Sequence, residues 1–188
     1  MNLVCFTEEQ SAKVMLDIVL PKILPKNCTS SPAINFEGKS DLDKQIERKL
    51  THYNTPNTIF LILRDQDSAI CTEVKQQLLD KVDRSGKAAM SIIRIACHEL
   101  ENFYLGDLSA VAQVFGHGVP QNQNSKKFRM ADNLATAKQE LIKITNKKYQ
   151  PVLGSRAIAP HLNLDGSNTS ASFNILLSGV KKLCVTQP

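Results

Sequence analysis

The chain has 188 residues, 42% hydrophobic and 5% aromatic with no Trp, and carries a formal net charge of +5. That length suits one domain or one domain with an appended lobe, and no apolar run approaches the ~20 residues needed to span a bilayer. The N-terminus lacks the order of a signal peptide, and five scattered cysteines without a Cys-x-x-Cys pair fit reduced thiols, so a cytoplasmic protein without membrane contact is expected.

Asn2–Phe6 reads as a first buried strand. Thr7 then serves as an N-cap with Gln10 as its capping-box partner, opening a helix that carries Val14, Met15, Ile18 and Val19 on one stripe. Cys28–Pro32 is a polar turn and Ala33–Phe36 a second short strand. Gly38-Lys39-Ser40 leads into a charged helix from Asp41 to His52. Thr58–Leu63 is a third strand, Ala69–Val82 a third helix, and Met90–Cys97 a fourth strand. Alternation of continuous apolar strands with helices predicts a mostly parallel sheet with helices on both faces.

Beyond Asp107 the pattern changes. Leu108–Phe115 is a short helix, 116–125 a polar loop, and Asp132–Thr145 a helix with Leu134, Ala137, Leu141 and Ile144 aligned. A last helix covers Ser170–Leu183. The chain therefore divides into an α/β core over 1–107 and a mainly helical extension over 108–188. Between Gln121 and Arg156 the extension is basic: Lys126, Lys127, Arg129, Lys138, Lys143, Lys147, Lys148 and Arg156 face only Asp132 and Glu140, which leaves +6 on that stretch. Such segregation is the footprint of a protein that meets phosphates, although a solvated helix face gives the same pattern. Phe128 and Tyr149, set among the lysines, could stack on bases or belong to the core.

The chemistry-bearing residues gather where strands end. The third strand exits into Asp65-Gln66-Asp67, whose carboxylates at i and i+2 share a direction in extended chain. Two close carboxylates ionise together only with a cation between them, and hard oxygen ligands favour Mg²⁺ or Mn²⁺. Capping of the next helix by Asp67 or Ser68 is the structural alternative. In a parallel sheet, ligands collect beyond the carboxyl ends of the strands. Those ends supply Glu8 and Glu9, then Glu37 and Lys39, then Asp65 and Asp67, and finally His98, Glu99 and Glu101. Arg94, inside an apolar strand, calls for a buried carboxylate partner.

Glu after a first strand with Asp-x-Asp after a later one resembles the Toprim pattern of topoisomerases, primases and nucleases of the overcoming-lysogenization-defect (OLD) type. The strings Phe6-Thr7-Glu8-Glu9-Gln10, Gly38-Lys39-Ser40-Asp41-Leu42, Leu63-Arg64-Asp65-Gln66-Asp67-Ser68, Cys97-His98-Glu99-Leu100-Glu101 and Gly154-Ser155-Arg156-Ala157-Ile158 are together similar to the Toprim-like domain of unknown function 4276. The resemblance implies a Mg²⁺-dependent site acting on DNA or RNA. Glu8 would match the Toprim glutamate, and Asp65 and Asp67 its paired aspartates. A Glu, Glu9, stands where the Toprim glutamate is commonly followed by Gly, so Glu8 and Glu9 both stay as candidates for the essential acid.

On this reading Glu8, Asp65 and Asp67 hold metal, Glu99 and Glu101 could add ligands, and Lys39, Lys126, Lys127, Arg156 and His161 could contact substrate phosphates. The same resemblance implies a partner ATPase in bacterial anti-phage defence. Two other classes stay open: a haloacid-dehalogenase-like phosphatase with Asp65 as nucleophile and Asp67 as acid, and a non-catalytic module that binds nucleic acid or a partner. A P-loop is excluded, because the first Gly of G-x-x-x-x-G-K-S would fall on Ala33.

Overall fold

The apolar runs become the inner strands of one parallel sheet. β1 (Asn2–Thr7) pairs on one side with the two-residue β2 (Thr29–Ser30) and β3 (Ile34–Asn35), and on the other with β4 (Thr58–Asp65). β5 (Ser91–Ala96) forms the far edge. This computed structural model describes residues 1–186; the last two residues of the 108–188 segment lie outside the described residues.

Alternation along the strands sorts side chains onto two faces. Val4, Phe6, Phe60 and Ile62 meet α2 (Lys39–Thr51) and α3 (Cys71–Arg84) on one face. Leu3, Cys5, Ile59, Leu61 and Leu63 face α1 (Gln10–Ile23) and the later helices on the other. Those later helices are α4 (Glu101–Leu105), α5 (Leu108–Phe115), α6 (Ala137–Ile144), α7 (Pro151–Ile158) and α8 (Ala171–Thr186). Phe60 and Leu61 are each at most 1% exposed, so neighbours on opposite faces each contribute ~2 kcal/mol of burial.

The helical extension shares its core with the sheet. Phe173, Leu176, Val180 and Cys184 of α8 lie in the same apolar cluster as Leu3, Cys5 and Leu61, and the Cys184 thiol sits 2.9 Å from that of Cys28. Among the described residues no helix is long and apolar enough to cross a membrane.

Several local expectations are corrected. Helix α1 starts at Gln10 with Glu9 at its N-cap position, while Thr7 stays in β1, so the Thr7–Gln10 capping box does not form. The segment read as a polar turn contains β2, and the second strand shrinks to Ile34–Asn35, with both residues exposed. The helix expected from Asp132 begins only at Ala137. A 3₁₀ turn covers 131–133, and Asp132 instead accepts hydrogen bonds from the Ser172 amide and both serine hydroxyls at the start of α8. Phe128 and Tyr149 are buried, so neither presents a face to bases. Arg94 finds main-chain carbonyls, Ile175 O at 3.2 Å and Ile93 O at 2.9 Å, and pairs with no carboxylate among the described residues.

Candidate metal and phosphodiester site at the sheet rim

In register, Thr7 lies opposite Leu63 and Asp65 opposite Ala96, so β1, β4 and β5 end at one rim. Main-chain bonds continue past the strands: Glu8 N donates to Leu63 O at 3.4 Å, Gln66 N to Ala96 O, and Asp67 N to His98 O at 2.7 Å. Asp67 and His98 both have a φ of 56°, a left-handed conformation uncommon for residues with a side chain. Strain of that kind gathers at functional sites. Capping does not explain Asp67 or Ser68, because α3 begins at Cys71 with Ile70 as its N-cap residue.

Glu8 is buried beneath this rim. Its Oε2 accepts from the Asp65 amide at 3.3 Å and lies 3.7 Å from Arg64 Nε. Burial first, then the charge of Asp67, push its carboxyl up to about 7, against the opposing pull of Arg64 and the Asp65 amide. Asp65 Oδ2 accepts from Leu100 N at 3.1 Å. Burial raises its carboxyl well above the usual range; the Leu100 amide opposes this, and Glu101, Glu8 and Glu9 add to it. Asp67 is half-exposed and holds Lys39 Nζ at 3.0 Å, which raises the lysine's pKa in turn. Gly38, with φ at +91°, turns the chain so that Lys39 begins α2 at this rim.

Glu9 is exposed and accepts from Ser11 Oγ at 3.1 Å. Glu99 accepts from the Lys138 amide at 2.8 Å, in the first turn of α6. Glu101, buried, accepts from Tyr149 Oη at 3.0 Å, and burial raises its pKa. Lys126 and Lys127 are exposed on the 125–134 segment, with Lys127 paired to Glu140. Arg156 is exposed on α7. His161 sits by the far end of α1, where Lys22 donates to Pro160 O; that 14-residue helix is about 21 Å long, so His161 stands away from Glu8.

Arg64 was not among the residues singled out from sequence. It is buried at the end of β4 and bridges Glu8 to Asp43 of α2, whose Oδ1 lies 3.3 Å from Nη1, while its Nε has no hydrogen-bond partner among the described residues. The signal was a charged residue one place before Asp65, on the strand face opposite to that aspartate.

Among the described residues no three His, Cys, Asp or Glu side chains are grouped to hold a metal unaided. The donor set is nevertheless all carboxylate oxygen. Mg²⁺ is commonly bound by one or two carboxylates with waters and substrate phosphates completing its shell, so the rim suits that ion in chemistry and ligand number.

With the geometry in place, comparison with known proteins adds a fold relative. The C-terminal region of the Burkholderia pseudomallei OLD protein superposes with a TM-score of 0.51 at 14% identity, covering 97% of this chain and 98% of that one. No curated protein matches. The family described as Domain of unknown function (DUF4276) matches residues 7–181, and the chain belongs to it.

Proposed function

We propose that the chain is a Toprim-like, Mg²⁺-dependent nuclease effector that cleaves phosphodiesters of DNA or RNA. The observation that carries this reading is the buried Glu8 carboxylate, held on the Asp65 amide at the same rim as Asp67, with a pKa near neutrality. Asp65 and Asp67 would hold the ion, with waters and substrate phosphates completing its shell, and its chemistry is to polarise a phosphodiester and stabilise the charge that develops on it. Glu8 would either complete that shell or, left free of the ion with its carboxyl raised to about 7 by burial, accept the proton of an attacking water. Arg64 orients Glu8 from below, and Lys39 offers a point charge to a phosphate oxygen once it releases Asp67. Glu8 has no task in the phosphatase scheme. Control by a partner ATPase in anti-phage defence is supported by the family resemblance and belongs to the same proposal.

The test is cleavage of labelled DNA and RNA with Mg²⁺ by wild type, Asp65→Asn, Asp67→Asn and the double variant. Either substitution should lower the rate by ~10²-fold or more with an unchanged circular dichroism spectrum. Full cleavage by the double variant would remove the proposal.

A further inference from the structure

A second feature stands beside the rim. The 125–134 segment forms a groove of about 480 Å³ lined by Lys126, Lys127, Arg129, Met130, Asn133 and Leu134. That volume falls within the range of small-ligand sites. Hydrogen bonds fix the segment and the start of α6 to the loop after β5, which holds Asp65. Asn102 Nδ2 donates both to Cys97 O at 3.0 Å and to Leu134 O at 2.9 Å, and Glu99 takes the Lys138 amide. Leu100, between these two residues, holds Asp65. The groove wall is thus joined to Asp65 through two hydrogen bonds and the short backbone stretch from Leu100 to Asn102.

Its composition is mixed in an informative way. Three cations line it; Lys127 is paired with Glu140, while Lys126 and Arg129 have no carboxylate partner among the described residues. Alongside them Met130 is 57% exposed, and Leu134 forms part of the wall. A nucleic-acid duplex shows a protein surface its phosphates and buries its base faces, so cations alone would serve it. Phosphate-binding cations beside an exposed apolar side chain fit a strand whose bases are unpaired.

We infer that this groove binds an unpaired stretch of DNA or RNA, its phosphates on Lys126 and Arg129 and a base against Met130 and Leu134. The inference rests on the nuclease reading for the class of ligand, and it adds the strand state and a binding path away from the acids. It also makes Arg129, Met130 and Leu134 determinants of substrate choice.

The experiment is fluorescence anisotropy without divalent cation, using labelled oligothymidine, oligouridine, and the duplex of oligothymidine with oligoadenosine, over a salt series. At least one single strand should bind about tenfold tighter than the duplex, and the better of the two identifies DNA or RNA as the source. Lys126→Ala with Arg129→Ala should flatten the log K against log salt slope by about 1.4, two single-strand phosphate contacts. Met130→Ala should weaken single-strand binding about fivefold with the slope unchanged. Equal or tighter duplex binding, an unchanged slope in the double variant, or an indifferent Met130→Ala would each overturn it. Because cleavage is silent in this assay, full cleavage by the Asp65→Asn, Asp67→Asn double variant with intact strand preference would sink the nuclease reading alone.

Discussion

Glu8 sets the character of the rim. A carboxyl with a pKa near 7 and an ordinary value of 4.5 binds its proton more tightly in the native state than in the unfolded one. Its contribution to stability is therefore fully present below pH 4.5 and is lost as pH rises through about 7. Metal-free wild type should lose on the order of 2 kcal/mol relative to Glu8→Gln between those limits, read from urea unfolding at each pH. A parallel pH dependence in the two proteins would show that Glu8 is not held this way. Asp65 is raised in the same direction, so the comparison with the single variant is what isolates Glu8. Apart from its place next to Asp65, Arg64 looks like Arg94 in sequence: both are arginines within apolar strands. Only the pairing of β4 with β1 decides that Arg64 faces a carboxylate, whereas Arg94, on the edge strand, meets carbonyls.

At the level of elements, the site depends on how the loop after β5 and helix α4 are anchored. Gly106 ends α4 where the 168–170 segment crosses it: Thr169 N donates to Gly106 O, and a Cβ there would fall on Asn168 Oδ1 and 2.7 Å from the Ser170 amide. Backbone cannot yield as a side-chain tip can, so Gly106→Ala should destabilise the protein by about 2 kcal/mol in chemical unfolding. A neutral result would mean that the 168–170 segment shifts freely. The inner strands and α1, α3 and α5 were legible because long apolar runs and 3–4 spacing survive in the sequence. The two-residue strands were not, since β2 and β3 add almost no apolar signal and are fixed by pairing with β1. Helix α7 is rich in small buried residues, Gly154 and Ser155, where Tyr104 and Tyr149 press close; that contact lies outside any local pattern, although Pro151 in its first turn is a start signal.

Over the whole molecule, the parallel sheet, its two covered faces and the acids at one rim follow from strand order and alternation. The sharing of one core by α8 and the sheet does not, because it depends on contacts between residues more than 100 positions apart. One consequence is testable. Residues 1–107 expressed alone would leave open the apolar cluster that Leu3, Cys5 and Leu61 share with Phe173, Leu176 and Val180. The full chain should unfold in a single cooperative transition, and the fragment should show no native near-ultraviolet signal; an independently folded fragment would contradict this. The central claim, that the β1 and β4 ends form a site for a hard divalent ion, is tested most directly by anomalous diffraction from crystals soaked in Mn²⁺. The account predicts a peak within ~2.0–2.6 Å of carboxylate oxygens of Asp65 or Asp67, with Glu8 in the same cluster. No peak at the rim, or one placed only on Glu99 or another surface acid, would contradict it.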